Sequence, residues 1–499
     1  MIRRHLALTT LASLTLLVPG VLGAQSQQEF AARRAALVAG LPDGALIALG
    51  AHEPPQDYLT FVQSPSFYYL TGFKEPDAAL VVVRQGGHVT STTMFVQPRL
   101  PSREVWTGAR LGVEGIGRLT GMHGRSVAEL AKVLDSLAGA GARLSVVGDF
   151  SGAAAGNPLL ATRSPDEQIF DHLKAAHAGL QVIPVNDAVE ALRGKKSPAE
   201  QAFIRQAVDI TVMAQREAMA AIEPGMNEFE IQALIEYTFR RNGADRPSFS
   251  TIVGSGPNST TLHYNLDDRY IQAGEVIVMD IGASYKSYAA DVTRTVPASG
   301  TFSPEQRAVY EIVRAAQAAA ERQAKLGASA QLMTDSSSAV LAVGLARLGL
   351  IESPTATYDC VVNDSNRKCP QYQLYYMHGL GHGIGLEVHD PDQYYRTGVI
   401  APGSAFTIEP GIYVREHVLE EMPDSPRNRE IAAKLRGAVE RYRNIGVRIE
   451  DDYLATEQGV EWISRAPREI DEVEAAMRGS YAGPAKRDAG LVERYGKDR

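Results

Sequence analysis

Met377-His-Gly-Leu-Gly-His-Gly-Ile-Gly-Leu-Glu-Val-His-Asp390 sets three histidines among glycines, and it decides how the surrounding sequence is read. Glycine has no Cβ, so such a segment lets backbone and ligand approach closely. Upstream, Glu275-Val-Ile-Val-Met-Asp280 reads as a strand that finishes in a close turn at Ile281-Gly282-Ala283. Ala290-Asp-Val-Thr-Arg-Thr-Val296 alternates β-branched residues and reads as a second strand, so that Asp280 and Asp291 would face each other across a hairpin. Downstream, Thr407-Ile-Glu-Pro-Gly-Ile-Tyr413 and Gly446-Val-Arg-Ile-Glu-Asp-Asp452 each place a glutamate after a short apolar strand.

Asp280, Asp291, His382, Glu409 and Glu450 are oxygen and nitrogen donors in such contexts. Carboxylates can bridge two divalent ions about 3.5 to 4 Å apart, and a mixed oxygen and imidazole set suits Mn²⁺, Co²⁺ or Zn²⁺. A centre of that kind makes hydroxide from water at neutral pH.

In their order and spacing these motifs resemble the dinuclear metallopeptidases of the pita-bread fold, and within them the Xaa-Pro aminopeptidases (aminopeptidase P). The resemblance implies an α+β fold, with a C-terminal pita-bread metallopeptidase domain behind an N-terminal creatinase-like α/β domain. It implies two divalent ions per chain, Mn²⁺ before Co²⁺ or Zn²⁺. Asp280 would bind one ion, Asp291 and Glu450 would bridge, and His382 with Glu409 would bind the other. His263, in Thr261-Leu-His-Tyr-Asn265, and His389 match family positions that contact the scissile group and steady the tetrahedral intermediate. An imidazole N–H can donate to a developing oxyanion without occupying a metal. Glu409 matches the family's proton shuttle. His378 is expected to orient its neighbours, and Arg448 either pairs with a ligand carboxylate or substrate or is a surface strand arginine.

The expected reaction is hydrolysis of Xaa-Pro bonds in proline-containing peptides, with metal-bridging hydroxide releasing the N-terminal residue. A prolidase confined to dipeptides, a proline-specific carboxypeptidase and a non-catalytic binding protein of this fold are the alternatives. The family's subunits commonly pair, which implies a homo-oligomer.

Composition agrees with an ordinary enzyme. The chain has 499 residues, 44% hydrophobic and 22% charged, enough for two or more domains. A net charge of −8 argues against a nucleic-acid partner, because phosphate-binding surfaces carry a basic excess.

Arg3 and Arg4 precede an apolar run from Leu6 to Leu22, broken at Pro19-Gly20, and Val21-Leu-Gly23 offers small residues for cleavage before Ala24. This reads as a signal peptide over residues 1–23, giving an exported chain, periplasmic or secreted, without a stable membrane anchor. The arginine pair also admits twin-arginine export. Cys360 and Cys369 are the only cysteines, and in an exported chain a close pair is expected to form a disulfide.

The expected division is 24–190 for the N-terminal domain, 191–475 for the catalytic domain and 476–499 for a charged tail. Phe61 to Val81 carries the N-terminal resemblance; Ala45 to Leu49, Ala79 to Val83 and Leu144 to Gly148 read as strands and Val127 to Leu137 as a helix. Ser197, Pro198 and Glu200 form a helix start with a capping box. Glu223 to Glu228 marks a turn before another helix, and the charged segment Glu420 to Asn444 reads as an extra surface helix, placed at a subunit contact.

Overall fold

Residues in adjacent N-terminal strands divide their side chains between two apolar clusters. In β1 (Gly44–Leu49) and β2 (Ala79–Gln85), Leu46, Ala48, Leu80 and Val82 enter one cluster while Ala45, Ile47, Ala79 and Val81 enter the other. Strands buried on both faces read as unbroken apolar runs, which is why these two were legible. The computed structural model describes residues 25–150, 163–392 and 397–479, so the expected signal peptide and nearly all of the tail lie outside the described residues.

β3 (His88–Val96), β4 (His123–Ser126), β5 (Leu144–Val147) and β6 (Val182–Pro184) complete a six-stranded sheet in the order β4-β3-β2-β1-β5-β6. β2 and β3 are joined through Gly86-Gly87, with φ of 59° and 80°, the positive values that a tight hairpin turn requires. The first half of β3 is polar and exposed, so no apolar run announces it. The helix expected over Val127 to Leu137 begins as a 3₁₀ turn at Val127–Glu129 and continues as Leu130–Gly139.

The β1/β2 cluster with Leu46 continues beyond the N-terminal domain through Phe203, Ile204, Val208, Ile384 and Leu386. One apolar cluster therefore joins the N-terminal sheet to the helix Pro198–Ala221, whose start carries the expected Ser197/Glu200 capping box. The next helix, Glu228–Arg241, is capped by Asn227 and Glu230.

In the C-terminal part, β7 (Arg246–Pro247), β10 (Ala283–Tyr285) and β11 (Tyr288–Ala289) form one small sheet; β8 (Ile252–Ser255), β9 (Val276–Ile281) and β12 (Val292–Pro297) form another in the order β12-β9-β8. β13 (Thr357–Val362) and β14 (Ser365–Pro370) are a hairpin closed by the Cys360–Cys369 disulfide. β15 (Ala405–Ile408) pairs with β18 (Asp451–Thr456), which pairs with β19 (Gly459–Trp462), and β16 (Gly411–Val414) pairs with β17 (Ile445–Arg448).

Two expectations change here. Asp280 and Asp291 do not face across a simple hairpin, because residues 282–291 leave β9 to build the β10/β11 turn before β12 returns alongside β9. Gly282 serves this close return: a Cβ there would lie 1.9 Å from the Ala290 carbonyl oxygen. The charged helix, Pro426–Tyr442, is no surface addition, since Ile431, Leu435, Val439 and Tyr442 recur at helical spacing and join the large apolar core of the C-terminal part. Among the described residues no helix is long and apolar enough to cross a membrane.

Candidate metal centre

Strand ends from three sheets supply the carboxylates. Asp280 sits on β9 opposite Thr293 of β12, and Asp291 immediately precedes β12. Glu409 follows β15, and Glu450 lies between β17 and β18 with its N–H donating to the Thr293 carbonyl at 3.1 Å. The glycine-rich segment runs along β15, where the Thr407 and Glu409 amides donate to the carbonyls of His382 and Leu380 at 2.8 Å. Gly381 permits that approach, because a Cβ would meet the Thr407 carbonyl oxygen at 2.1 Å.

These elements bring together Asp291, His382 and Glu450, which each place one donor atom within 4.8 Å of the others. His382 Nε2 lies 3.5 Å from Asp291 Oδ2, 3.5 Å from Glu409 Oε1 and 3.7 Å from Glu450 Oε1. Asp280 is turned toward Arg448, which donates to its Oδ2 at 2.6 Å. Of the two readings of Arg448, the surface one fails: the side chain is buried, and it also donates to the Tyr413 hydroxyl at 2.9 Å and the Thr293 hydroxyl at 3.2 Å.

Desolvation and mutual repulsion make the carboxylates hard to ionise without added cations. Burial, then the charges of Glu450 and Asp280, raises Asp291 well above the usual carboxylate range. Burial, then Glu450, does the same to Glu409, and burial followed by Asp280 pushes Glu450 up to about 8. Asp280 Oδ1, Asp291 Oδ1 and Glu450 Oε1 are buried oxygens with no hydrogen-bond partner. Native buried polar atoms are nearly always satisfied. Orphaned acceptors converging on a neutral imidazole fit divalent cations. His382 is suited to that role, because burial, then His389, lowers its pKa to about 4 and leaves the ring neutral.

His263 and His389 are exposed on the wall of the same cavity, about 500 Å³ in volume, with all five carboxylate and imidazole donors. The His389 ring lies 4.2 Å from that of His382. His378 is occupied on both nitrogens, with the Gly379 carbonyl and the Tyr413 hydroxyl each at 2.8 Å, and so is placed to orient its surroundings.

Sequence reasoning missed several residues here. Thr293 donates to Glu450 Oε2 at 2.6 Å, Tyr413 links His378 to Arg448, and Asp452 Oδ2 accepts from the Asp291 amide at 3.1 Å. Phe249, Leu262 and Val388 give the cavity apolar walls. Thr293 and Asp452 each stand two residues from a named candidate ligand, a spacing that does not by itself say which strands meet.

Comparison with known proteins covers most of the chain. The model of metallopeptidase family M24 matches residues 202–457, and that of the aminopeptidase P N-terminal domain matches residues 30–146. Xaa-Pro aminopeptidase of Escherichia coli (strain K12) is 32% identical over 464 residues, covering 91% of this chain and 99% of the relative. Human Xaa-Pro dipeptidase is 30% identical over 468 residues, covering 87% and 89%. Among solved structures, a variant of Escherichia coli aminopeptidase P in complex with substrate superposes with a TM-score of 0.74 at 31% identity, covering 91% of this chain and 98% of that one. Proline aminopeptidase P II from Yersinia pestis gives 0.74 at 29% identity, covering 91% and 99%.

Proposed function

This chain belongs to metallopeptidase family M24, and from that premise we propose that it releases the N-terminal residue from peptides whose second residue is proline. The observation that carries the reading is the cluster of buried, unpaired carboxylate oxygens around His382 on a cavity large enough for a short peptide. The similarity to both an Xaa-Pro aminopeptidase and an Xaa-Pro dipeptidase favours the proline bond and leaves peptide length to experiment.

Asp280, Asp291, His382, Glu409 and Glu450 would hold two divalent ions, Mn²⁺ before Co²⁺ or Zn²⁺. When bound, such ions polarise a carbonyl and lower the pKa of water to about 7. The remaining work falls to side chains. Arg448 fixes Asp280, and the Thr293 hydroxyl fixes Glu450, so the donors are set before substrate arrives. His263 and His389 donate N–H groups to the scissile carbonyl oxygen as it gains charge. Glu409 passes a proton to the leaving proline nitrogen. A proline amide offers no N–H, so a site that acts on the carbonyl and protonates the nitrogen loses nothing by that absence. Phe249, Leu262 and Val388 keep water from the pyrrolidine and the N-terminal side chain.

The chain is proposed to act after export, with residues 1–23 removed. The N-terminal sequence and the Cys360–Cys369 bridge support this. Mass spectrometry of the exported product should show loss of that segment; an intact Met1 would overturn it. The activity is tested by pairing peptides with proline or alanine in second position and measuring the free N-terminal residue, for dipeptides and longer peptides alike. Release from proline peptides of both lengths is expected. Equal cleavage of the alanine peptides would end the proline assignment, cleavage of dipeptides alone would make the chain a prolidase, and release from the carboxyl end would reverse its direction.

A further inference from the structure

The loop that carries His382 and His389 is folded around a carboxylate that takes no part in the metal centre. Asp390 is buried, and its oxygens accept from the Arg193 guanidinium and, at 2.7 Å, from Lys196 Nζ. The Glu387 amide donates to Asp390 Oδ1 at 3.2 Å, and the Asp390 amide donates to the Gly383 carbonyl at 2.8 Å. Gly385 leaves room for this packing, since a Cβ there would meet Asp390 Oδ2 at 2.4 Å.

Neither cation belongs to the loop. Arg193 ends the helix Asn186–Arg193 and Lys196 lies in the short link before the helix Pro198–Ala221, the junction between the two halves of the chain. Arg193 also donates to the Ser66 hydroxyl of the N-terminal domain at 3.1 Å and to Glu387 at 2.5 Å. Lys196 Nζ reaches the Pro391 carbonyl at 2.8 Å. The residues on either side of His389 are thus fastened while its own ring faces the cavity.

We propose that Arg193 and Lys196 are positioning residues: through Asp390 they hold the backbone of the loop so that His389 meets the substrate carbonyl, and Arg193 ties that setting to the docked N-terminal domain. A misplacement of about 1 Å costs on the order of 100-fold in rate, which gives two buried cations outside the site a means of controlling turnover. The inference rests on the role given to His389 above.

A double-mutant cycle on the full-length, metal-loaded protein separates positioning from simple structural support. Lys196→Met keeps the aliphatic stem and removes the charge. It should lower kcat by about 30-fold, with KM and metal content per chain nearly unchanged. In a His389→Ala background the same change should cost less than about threefold, because the group being positioned is gone. In metal-free protein, the ring resonances lost in His389→Ala should be displaced in Lys196→Met. Should Lys196→Met fail to fold, Arg193→Lys, which keeps the charge and loses the forked geometry, should give about a 10-fold fall in kcat by the same criteria. Equal losses in both backgrounds, a parallel loss of metal, or unmoved His389 resonances would overturn the inference. If His389→Ala alone leaves kcat unchanged, the reading of His389 fails, and this inference fails with it.

Discussion

Glu450, Asp451 and Asp452 are consecutive and buried, yet they belong to two clusters of opposite electrostatic character. Strand geometry sends alternate side chains to opposite faces, so Glu450 and Asp452 turn toward the metal centre and Asp451 turns away. Asp451 accepts from Arg294 at 2.7 Å, Arg468 at 2.8 Å, Ser464 at 2.6 Å and Trp462 at 2.8 Å. Burial would raise its pKa, but the Arg294 and Arg468 guanidiniums outweigh burial and hold its carboxyl below the usual range. On the other face, Glu450 is pushed up to about 8 and keeps one oxygen unpaired. One buried acid has its cations built into the chain; the other is left short of positive charge. That difference separates a structural ion cluster from a site made to receive ions.

Neutralising one acid in each cluster should therefore have opposite consequences. Asp291→Asn is expected to lose metal and to lower turnover by about 1000-fold or more. In metal-free protein the same change removes repulsion from Glu450 and Asp280, so the melting temperature should rise above that of the metal-free parent. Elemental analysis, peptide hydrolysis and calorimetry check the three parts. A lower melting temperature in both metal states would break the comparison.

Asp451→Asn should leave Arg294 buried without its counter-charge and Arg468 with Glu321 alone, and destabilise folding by about 3–5 kcal/mol. Denaturant unfolding measures this, and the folded fraction should still bind its full complement of metal. Loss of metal binding from well-folded Asp451→Asn protein would show that the two faces are not separate.

On the role proposed for it, an imidazole that stabilises charge and holds no ion, His389→Ala should lower kcat by about 100-fold while metal content stays within error. Metal lost in step with activity would instead move His389 into the ligand set.

The smallest effect belongs to a half-exposed charge cluster. His52 lies 3.0 Å from Asp166 and 3.3 Å from Asp77, and these hydrogen bonds, Asp166 first, raise its pKa from 6.5 to about 10. A raised folded-state pKa stabilises fully below the unfolded value, so the contribution should be complete below pH 6.5, fade between 6.5 and about 10, and vanish above that. With 46% of the side chain exposed, solvent screening limits it to under about 1 kcal/mol. The difference in urea midpoint between the parent and His52→Gln should shrink from about pH 6 to about pH 10.5. A difference that persisted at the higher pH would reject the pairing.

The buried N-terminal strands and the Ser197 helix start were legible because each sits in a local pattern, an apolar run or a capping box, and the five candidate donors, which line one cavity, were picked out as acids after apolar runs and a histidine among glycines. β3 was not, since its first half is polar and its place depends on pairing with β2. The helix Pro426–Tyr442 looked like a surface addition because its charge outweighed its narrow apolar stripe. Thr293, Tyr413 and Asp452 stayed hidden because their partners come from other strands, and no local pattern specifies which strands meet.

By itself the sequence determined which side chains could hold metal, which stretches would be buried strands and where the helices would start, all of them properties of short windows. The tertiary structure alone decided that Arg448 pairs with Asp280, that Asp451 turns its back on the metal centre, and that Arg193 and Lys196 reach Asp390 across 197 and 194 residues of chain. The physical reason is that a carboxylate's ionisation and partners depend on what packs around it, and that packing is set by strand register and domain docking between residues far apart in the chain.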